Sequence, residues 1–162
     1  MDLGLREKVA VVTGGSEGIG KASAMRLAME GAKVSICARR EDVLKKAEEE
    51  IRAKTGGEIL TIRADVSKAE QVEQFINKTI EVFGGIDILV NNAGTSAAGP
   101  FENVSDDYWQ ADLDLKLFGA IRCIRLAIPS MKKRGGGRII NITNIGGKQP
   151  GARSVPTSVS RA

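Results

Sequence analysis

The stretch Lys8-Val9-Ala10-Val11-Val12-Thr13-Gly14-Gly15-Ser16-Glu17-Gly18-Ile19-Gly20 decides the fold. Its apolar run is continuous rather than alternating, as a strand covered on both faces of a sheet requires, and it ends in glycines that lead into a helix-forming stretch. Similar runs recur at residues 33–38, 58–63, 86–90 and 138–142, which predicts five strands. Between them, residues 19–30 and 41–54 are rich in Ala, Leu, Glu and Lys, with Gly31 and Gly56-Gly57 where helices end. Val72, Phe75, Ile76, Thr79, Ile80 and Phe83 repeat at helical spacing, and Ser67-Lys68-Ala69-Glu70 fits a capping box. Residues 105–134 read as one long helix with Leu113, Leu117, Ile121, Ile124 and Ile128 on its apolar face, and Lys132-Lys133-Arg134 as its solvated end. Strict strand-helix alternation predicts an α/β fold, a doubly wound parallel sheet in three layers, with ligands at the carboxyl ends of the strands.

Composition bounds the chemistry. The 162 residues, 42% hydrophobic and 27% charged, suit one domain over residues 1–162. A net charge of +4 and 4% aromatic residues give no footprint for nucleic acid. The absence of histidine excludes Ser-His-Asp and Cys-His catalysis and imidazole-bound zinc, and Cys37 and Cys123 alone cannot make a four-thiolate site, so no metal is expected. Two cysteines far apart in sequence suggest reduced, buried thiols and a cytoplasmic setting. The amino-terminal residues lack an apolar signal core and the apolar runs are too short to span a bilayer, so no membrane association is expected. Residues 146–162 form a loop-like ending of Gly, Pro, Ser and Thr that stops where another helix would begin, and the chain reads as cut short.

Gly14, Ser16, Glu17, Gly18, Ile19 and Gly20 join the first strand to the first helix, where backbone N–H groups can face a pyrophosphate. This predicts a dinucleotide, although the glycine spacing departs from G-x-G-x-x-G and a tight turn is the alternative. Asp65-Val66 follows the third strand and Asn91-Asn92-Ala93-Gly94 the fourth, on the same sheet edge. Asn91 and Asn92 can lock neighbouring backbone, Ala93 and Gly94 admit a ligand closely, and Asp65 can accept from an adenine amino group or instead make an Asx turn.

The order Thr13-Gly14-Gly15-Ser16-Glu17-Gly18-Ile19-Gly20, then Asp65-Val66, then Asn91-Asn92-Ala93-Gly94 resembles the short-chain dehydrogenase/reductase family, from the first strand to the end of the chain. The resemblance implies a Rossmann-like sheet in the order 3-2-1-4-5 and hydride transfer between NAD(P)(H) and a small-molecule carbonyl or secondary alcohol. It also implies a homodimer or homotetramer, and Thr143 among the cofactor-binding residues. A carboxylate at the end of the second strand would select NAD(H); Ala38 stands there, followed by Arg39 and Arg40, which favours NADP(H) while Glu17 opposes it. A solvated start to the next helix is the other reading of the arginines.

The family's reductases use a serine, a tyrosine, a lysine and an asparagine. Here these positions fall on Asn144, Thr157, Arg161 and Lys116. A threonine hydroxyl does not ionise near neutrality, so the usual acid is missing. In a rewired site Asn144 would donate to the carbonyl and Lys116, desolvated beside Arg161, would supply the proton; Lys116 as an exposed helix residue is the competing expectation. The substitutions equally motivate a second reading, a catalytically degenerate dinucleotide-binding protein acting as a cofactor sensor or partner subunit. The segments that would complete the substrate side in the family are not in this sequence.

Overall fold

A computed structural model describes residues 2–151 and 153–162. Strands β1 (Val9–Thr13), β2 (Lys33–Ala38), β3 (Ile59–Arg63), β4 (Ile88–Asn91) and β6 (Arg138–Asn141) form one parallel sheet in the order β3-β2-β1-β4-β6. The fifth predicted strand is thus β6, because a two-residue strand, β5 (Ala98–Gly99), precedes it and pairs antiparallel with β7 (Val155–Pro156). This is the expected doubly wound, Rossmann-like arrangement. The ending read as loop contains β7 and a single helical turn, α6 (Thr157–Ser160).

Helices α1 (Gly18–Met29) and α2 (Glu41–Thr55) cover one face of the sheet, and α3 (Ala69–Phe83) and α5 (Gly119–Lys133) the other. The strands' side chains divide between them, which is why their sequences are apolar throughout. Ala10, Val12, Val34 and Ile36 pack with Ala24, Ala28, Leu44 and Ile51 on the first face. Val11, Cys37 and Leu89 pack with Phe75, Ile76, Cys123 and Ala127 on the second. Burial of Phe75 alone contributes about 1.5–3 kcal/mol. Cys37 and Cys123 are free and buried, and burial pushes both thiols above their ordinary range.

Three local expectations are corrected. Ser67 does not cap α3: its hydroxyl and N–H both bond Asp65 Oδ1, at 2.8 and 2.9 Å, and Lys68 precedes the helix without a side-chain cap. An Asx turn has outcompeted the capping box for the same serine. The long helix is not uniform. After α4 (Asp106–Leu113), capped by Ser105, the chain takes a π turn over Asp114–Phe118 before α5. The wider turn rotates the faces, so Lys116, Gly119, Cys123 and Ala127 point inward while Leu117 and Phe118 remain 43% and 40% exposed. Arg134, finally, is exposed with the rest of the helix end, as expected, but it is not merely solvated.

Its guanidinium meets Asp87 at 2.9 Å (Nε–Oδ1) and 2.8 Å (Nη2–Oδ2), and Asp87 Oδ2 also accepts the Val9 N–H at 2.8 Å. One buried carboxylate therefore ties the start of β1 to the end of α5. Burial works to raise the Asp87 pKa, but Arg134 and the Val9 N–H outweigh it and hold the carboxyl below its ordinary 3.8. A depressed folded-state pKa gives stability that is present at neutral pH and lost as pH falls through that value. Asp87→Asn is expected to destabilise the fold by about 1–3 kcal/mol at pH 7 in urea titrations, with the difference shrinking below about pH 3.8.

Candidate functional site

The β1–α1 loop and the end of β4 are clamped together. Thr13 Oγ1 accepts the N–H groups of Asn92 and Ala93, both at 3.0 Å, while Asn92 Nδ2 donates to the carbonyls of Thr13 and Gly14 at 3.0 and 3.1 Å. Asn91 spans to β6 through Asn141 Oδ1 at 2.9 Å. Both asparagines thus lock backbone or a neighbouring strand. Gly20 completes the clamp: a Cβ there would lie 2.1 Å from the Gly14 carbonyl oxygen and 2.4 Å from Asn92 Nδ2. Gly18 is different, with φ +54° and nothing within 4 Å of its would-be Cβ, which leaves a backbone surface open to a ligand.

This clamp floors a cleft of about 840 Å³ along the carboxyl edge of the sheet. Every residue expected to bind cofactor lines it except Gly20, which packs beneath. Strand order sets its two ends. One gathers Glu17, Arg39, Arg40, Asp65 and Val66 around β2 and β3; the other gathers Asn92, Ala93, Gly94, Thr143, Asn144, Thr157 and Arg161 around β4 and β6.

At the first end, Arg40 is ion-paired with Glu17, both exposed, while the Arg39 side chain makes no hydrogen bond or ion pair among the described residues. The Arg39 carbonyl is held by Arg63 Nε at 3.2 Å. Asp65 makes the Asx turn through Oδ1, and the residue also lines the cleft.

At the second end, Asn144, Thr157 and Arg161 come together, but Lys116 does not line this cleft. It is neither exposed nor dependent on Arg161. Its buried ammonium lies 2.5 Å from Asp112 Oδ1 and donates to Thr157 Oγ1 at 2.8 Å. Arg161 instead reaches the carbonyls of Ile142, Asn92 (3.4 Å) and Ala93 (3.3 Å), crossing the space a Gly94 side chain would need. Burial presses its guanidinium below the ordinary value, opposed by Asp112. Lys116 and Arg161 share only the wall of a smaller cavity of about 150 Å³. Sequence reasoning missed Thr13, Asp112 and Ser160. Asp112 had a signal, its four-residue spacing from Lys116, whereas the contact of Ser160 Oγ with Asp112 Oδ2 at 2.5 Å depends on tertiary structure.

Among the described residues no cluster of potential metal ligands occurs and no helix is long and apolar enough to cross a membrane. A fold and cleft of this kind belong to a dinucleotide-binding class. The profile of the short chain dehydrogenase family matches residues 8–162, and the chain belongs to that family. It is 35% identical to the oxidoreductase YvrD of Bacillus subtilis over 161 residues, 99% of this chain and 60% of that one. Identity to the 3-oxoacyl-acyl-carrier-protein reductase of Synechocystis is 39% over 143 residues, 88% of this chain and 58% of the relative. The structure of L-sorbose reductase from Gluconobacter frateurii, complexed with NADPH and L-sorbose, superposes with a TM-score of 0.97 at 38% identity, covering 99% of this chain and 61% of that one. The chain therefore spans about 60% of the length of such relatives.

Gly20→Ala is expected to displace the clamp itself, lowering stability by about 1–3 kcal/mol in a thermal or urea melt. Gly18→Ala meets no neighbour and is expected to cost only the left-handed backbone, about 1–2 kcal/mol, while disturbing ligand approach. Equal melts for wild type and Gly20→Ala would refute the clamp.

Proposed function

We propose that the chain binds NADP(H) in this cleft and acts as an oxidoreductase between nicotinamide and a carbonyl or secondary alcohol. The observation that carries the proposal is the open backbone at Gly18, held in place by the Thr13–Asn92 clamp at a helix N-terminus, a fit for a pyrophosphate. The bound nicotinamide would supply or accept the hydride. Ala38 and the free Arg39 side chain at the end of β2 favour a 2′-phosphate, and Arg40 can join once Glu17 yields it. The NADPH complex of the sorbose reductase relative supports the same preference.

The chain's own residues place the reacting oxygen. Asn144 and Thr157 offer hydrogen bonds, and Arg161 orders the ends of β4 and β6 around them. Neither hydroxyl nor amide gives up a proton near neutrality, so a reaction here lacks general acid catalysis, a factor of about 10²–10⁴ in rate. That same observation favours a second reading, a dinucleotide-binding protein without turnover. Reduced, buried thiols support a cytoplasmic setting, and the exposed apolar side chains of Leu117, Phe118, Ile139 and Ile140 support self-association as a dimer or tetramer.

Titration with NADPH and NADH, read by energy transfer from Trp109, tests the proposal. NADPH is expected to bind at micromolar concentration and more tightly than NADH. Arg39→Ala is expected to lose about tenfold or more for NADPH and little for NADH, and Glu17→Gln to gain a few-fold for NADPH. Absence of saturable binding would overturn the function. NADPH consumption with a panel of carbonyl compounds then separates the enzyme from the non-catalytic reading.

A further inference from the structure

The two outer strands of the sheet are finished differently. At β3 the Val34 N–H bonds the Glu58 carbonyl and the Ala64 N–H bonds the Ala38 carbonyl, so strand alternation turns the main-chain groups of Ile59, Thr61 and Arg63 outward. That edge is guarded. Arg52 donates to the outward Ile59 carbonyl, Thr61 Oγ1 donates to Glu48 at 2.6 Å, and Arg63 ends the strand with a charge. At β6 the N–H groups of Arg138 and Ile142 bond the carbonyls of Asp87 and Asn91, which turns the main-chain groups of Ile139 and Asn141 outward. Among the described residues no hydrogen bond engages the main-chain N–H or C=O of either one on that side. All four residues of β6 are exposed, whereas β1 and β4 are buried throughout. Ile139 lies beside Leu89 on the α3–α5 face and Ile140 beside Val90 on the other, 39% and 47% exposed. The chain after β6 returns over the cleft, where β7 pairs with β5 and Arg161 reaches the Ile142 carbonyl, so it leaves this edge open.

We propose that the open edge pairs with β6 of a second copy of this chain, antiparallel about a two-fold axis at Ile140, so that two sheets become one. The edge is its own complement. In that register Ile139 and Asn141 of one copy stand opposite Asn141 and Ile139 of the other, and each opposed pair exchanges both of its N–H···O bonds, which uses every outward group of the strand. Ile140 then faces Ile140 of the second copy in a closely spaced pair, and both exposed isoleucines gain an apolar neighbour. Charge sets the direction. The amino end of β6 is basic, with Arg138 following Lys132-Lys133-Arg134, while residues 139–147 carry no charge. Antiparallel pairing lays each basic end beside the partner's uncharged end, whereas a parallel partner would bring the two basic ends together. Because Arg52 guards the β3 edge, the pairing closes with two copies instead of extending into a ribbon. The proposal specifies the self-association read from the exposed apolar residues and rests on that reading, not on the dinucleotide.

Sedimentation velocity on the full chain, from micromolar to millimolar concentration, reads the assembly. A pairing of four-residue strands is short, so a reversible dimer with a dissociation constant of about 1–100 μM is expected. Ile140→Lys sets like charges opposite each other and is expected to weaken the dimer at least about tenfold while its thermal melt matches a wild-type melt at a concentration where both are monomeric. Ile139→Pro removes an outward N–H that the β4 ladder does not use, and is expected to weaken it about as much. Leu117→Lys, on the exposed helix face, is expected to leave the dimer intact. In the wild type the Ile139 and Asn141 amide hydrogens are expected to exchange about tenfold more slowly as concentration rises, a readout that needs no variant. A monomer at every concentration, an open-ended series of larger species, or exchange at these two amides that ignores concentration would each overturn the pairing. A dimer that survives Ile140→Lys and Ile139→Pro but falls to Leu117→Lys would leave self-association standing and overturn this edge as its site. A synthetic peptide of residues 137–143 is expected to compete with the dimer; peptide binding to a chain that never dimerises would assign the edge to a foreign strand and overturn the second copy.

Discussion

The Thr13 hydroxyl, accepting two backbone N–H groups from the end of β4, is the constraint on which the cleft depends. A parallel sheet brings its carboxyl ends to one edge but does not fix the loops that follow. Here Thr13 and the Asn92 amide fix the first loop to the fourth strand with four hydrogen bonds near 3 Å, each worth about 0.5–1.5 kcal/mol net. That is a sizeable fraction of the 5–15 kcal/mol by which a domain is typically stable. The loop is therefore preorganised before any ligand arrives. Gly20 is demanded by the same contact, since any side chain there would enter the space of the Gly14 carbonyl.

The opposite edge of the sheet is organised for another purpose. Asp87 gathers the Val9 N–H and the Arg134 guanidinium at the amino ends of β1 and β4, far along the strands from the cleft. Between the two polar edges the sheet is covered by aliphatic side chains on both faces. Both edges thus carry polar ties while the layers supply the apolar packing, and the cleft edge also presents donors that the fold does not use. The exposed guanidinium of Arg39 and the outward amide of Asn144 are tolerable because they lie where water or a ligand can satisfy them.

Sequence reading reached the strands and the glycine loop because each has a local signature, continuous apolar runs, turn residues and helix-forming intervals, whereas the strand order came from the family resemblance. It failed where two local rules compete or where a register shifts. Ser67 satisfies the pattern of a capping box, yet Asp65 two residues earlier offers a nearer partner and a different turn. The π turn at Asp114–Phe118 inserts one residue into a helix whose periodicity otherwise looks regular, so the apolar stripe from Leu113 to Ile128 misstates the buried face. Arg134 reads as one of three basic residues at a helix end, and only the fold brings Asp87, 47 residues away, beneath it. The candidate site shows the same divide. Residues in contiguous motifs line the cleft as expected, while the partners of Thr157 come from separate elements.

Those partners argue that Lys116, Asp112, Thr157 and Ser160 form one construction. A buried lysine ammonium without a counter-charge would cost several kcal/mol, and Asp112 supplies that charge from one helical turn earlier. Asp112 is itself buried and needs Ser160, whose helix is placed by the pairing of Val155–Pro156 with Ala98–Gly99. The same pairing sets the Ala97 N–H on Thr157 Oγ1. Only Asp112 Oδ1, 2.5 Å from the ammonium but without a well-directed hydrogen bond, is left imperfectly served. Remove any one member and a buried charge or hydroxyl loses its partner, so the energy of the group resides in the whole rather than in any pair. The threonine that ends this chain of bonds cannot act as an acid near neutrality, and with two bonds accepted its own proton is the one group it has left to share.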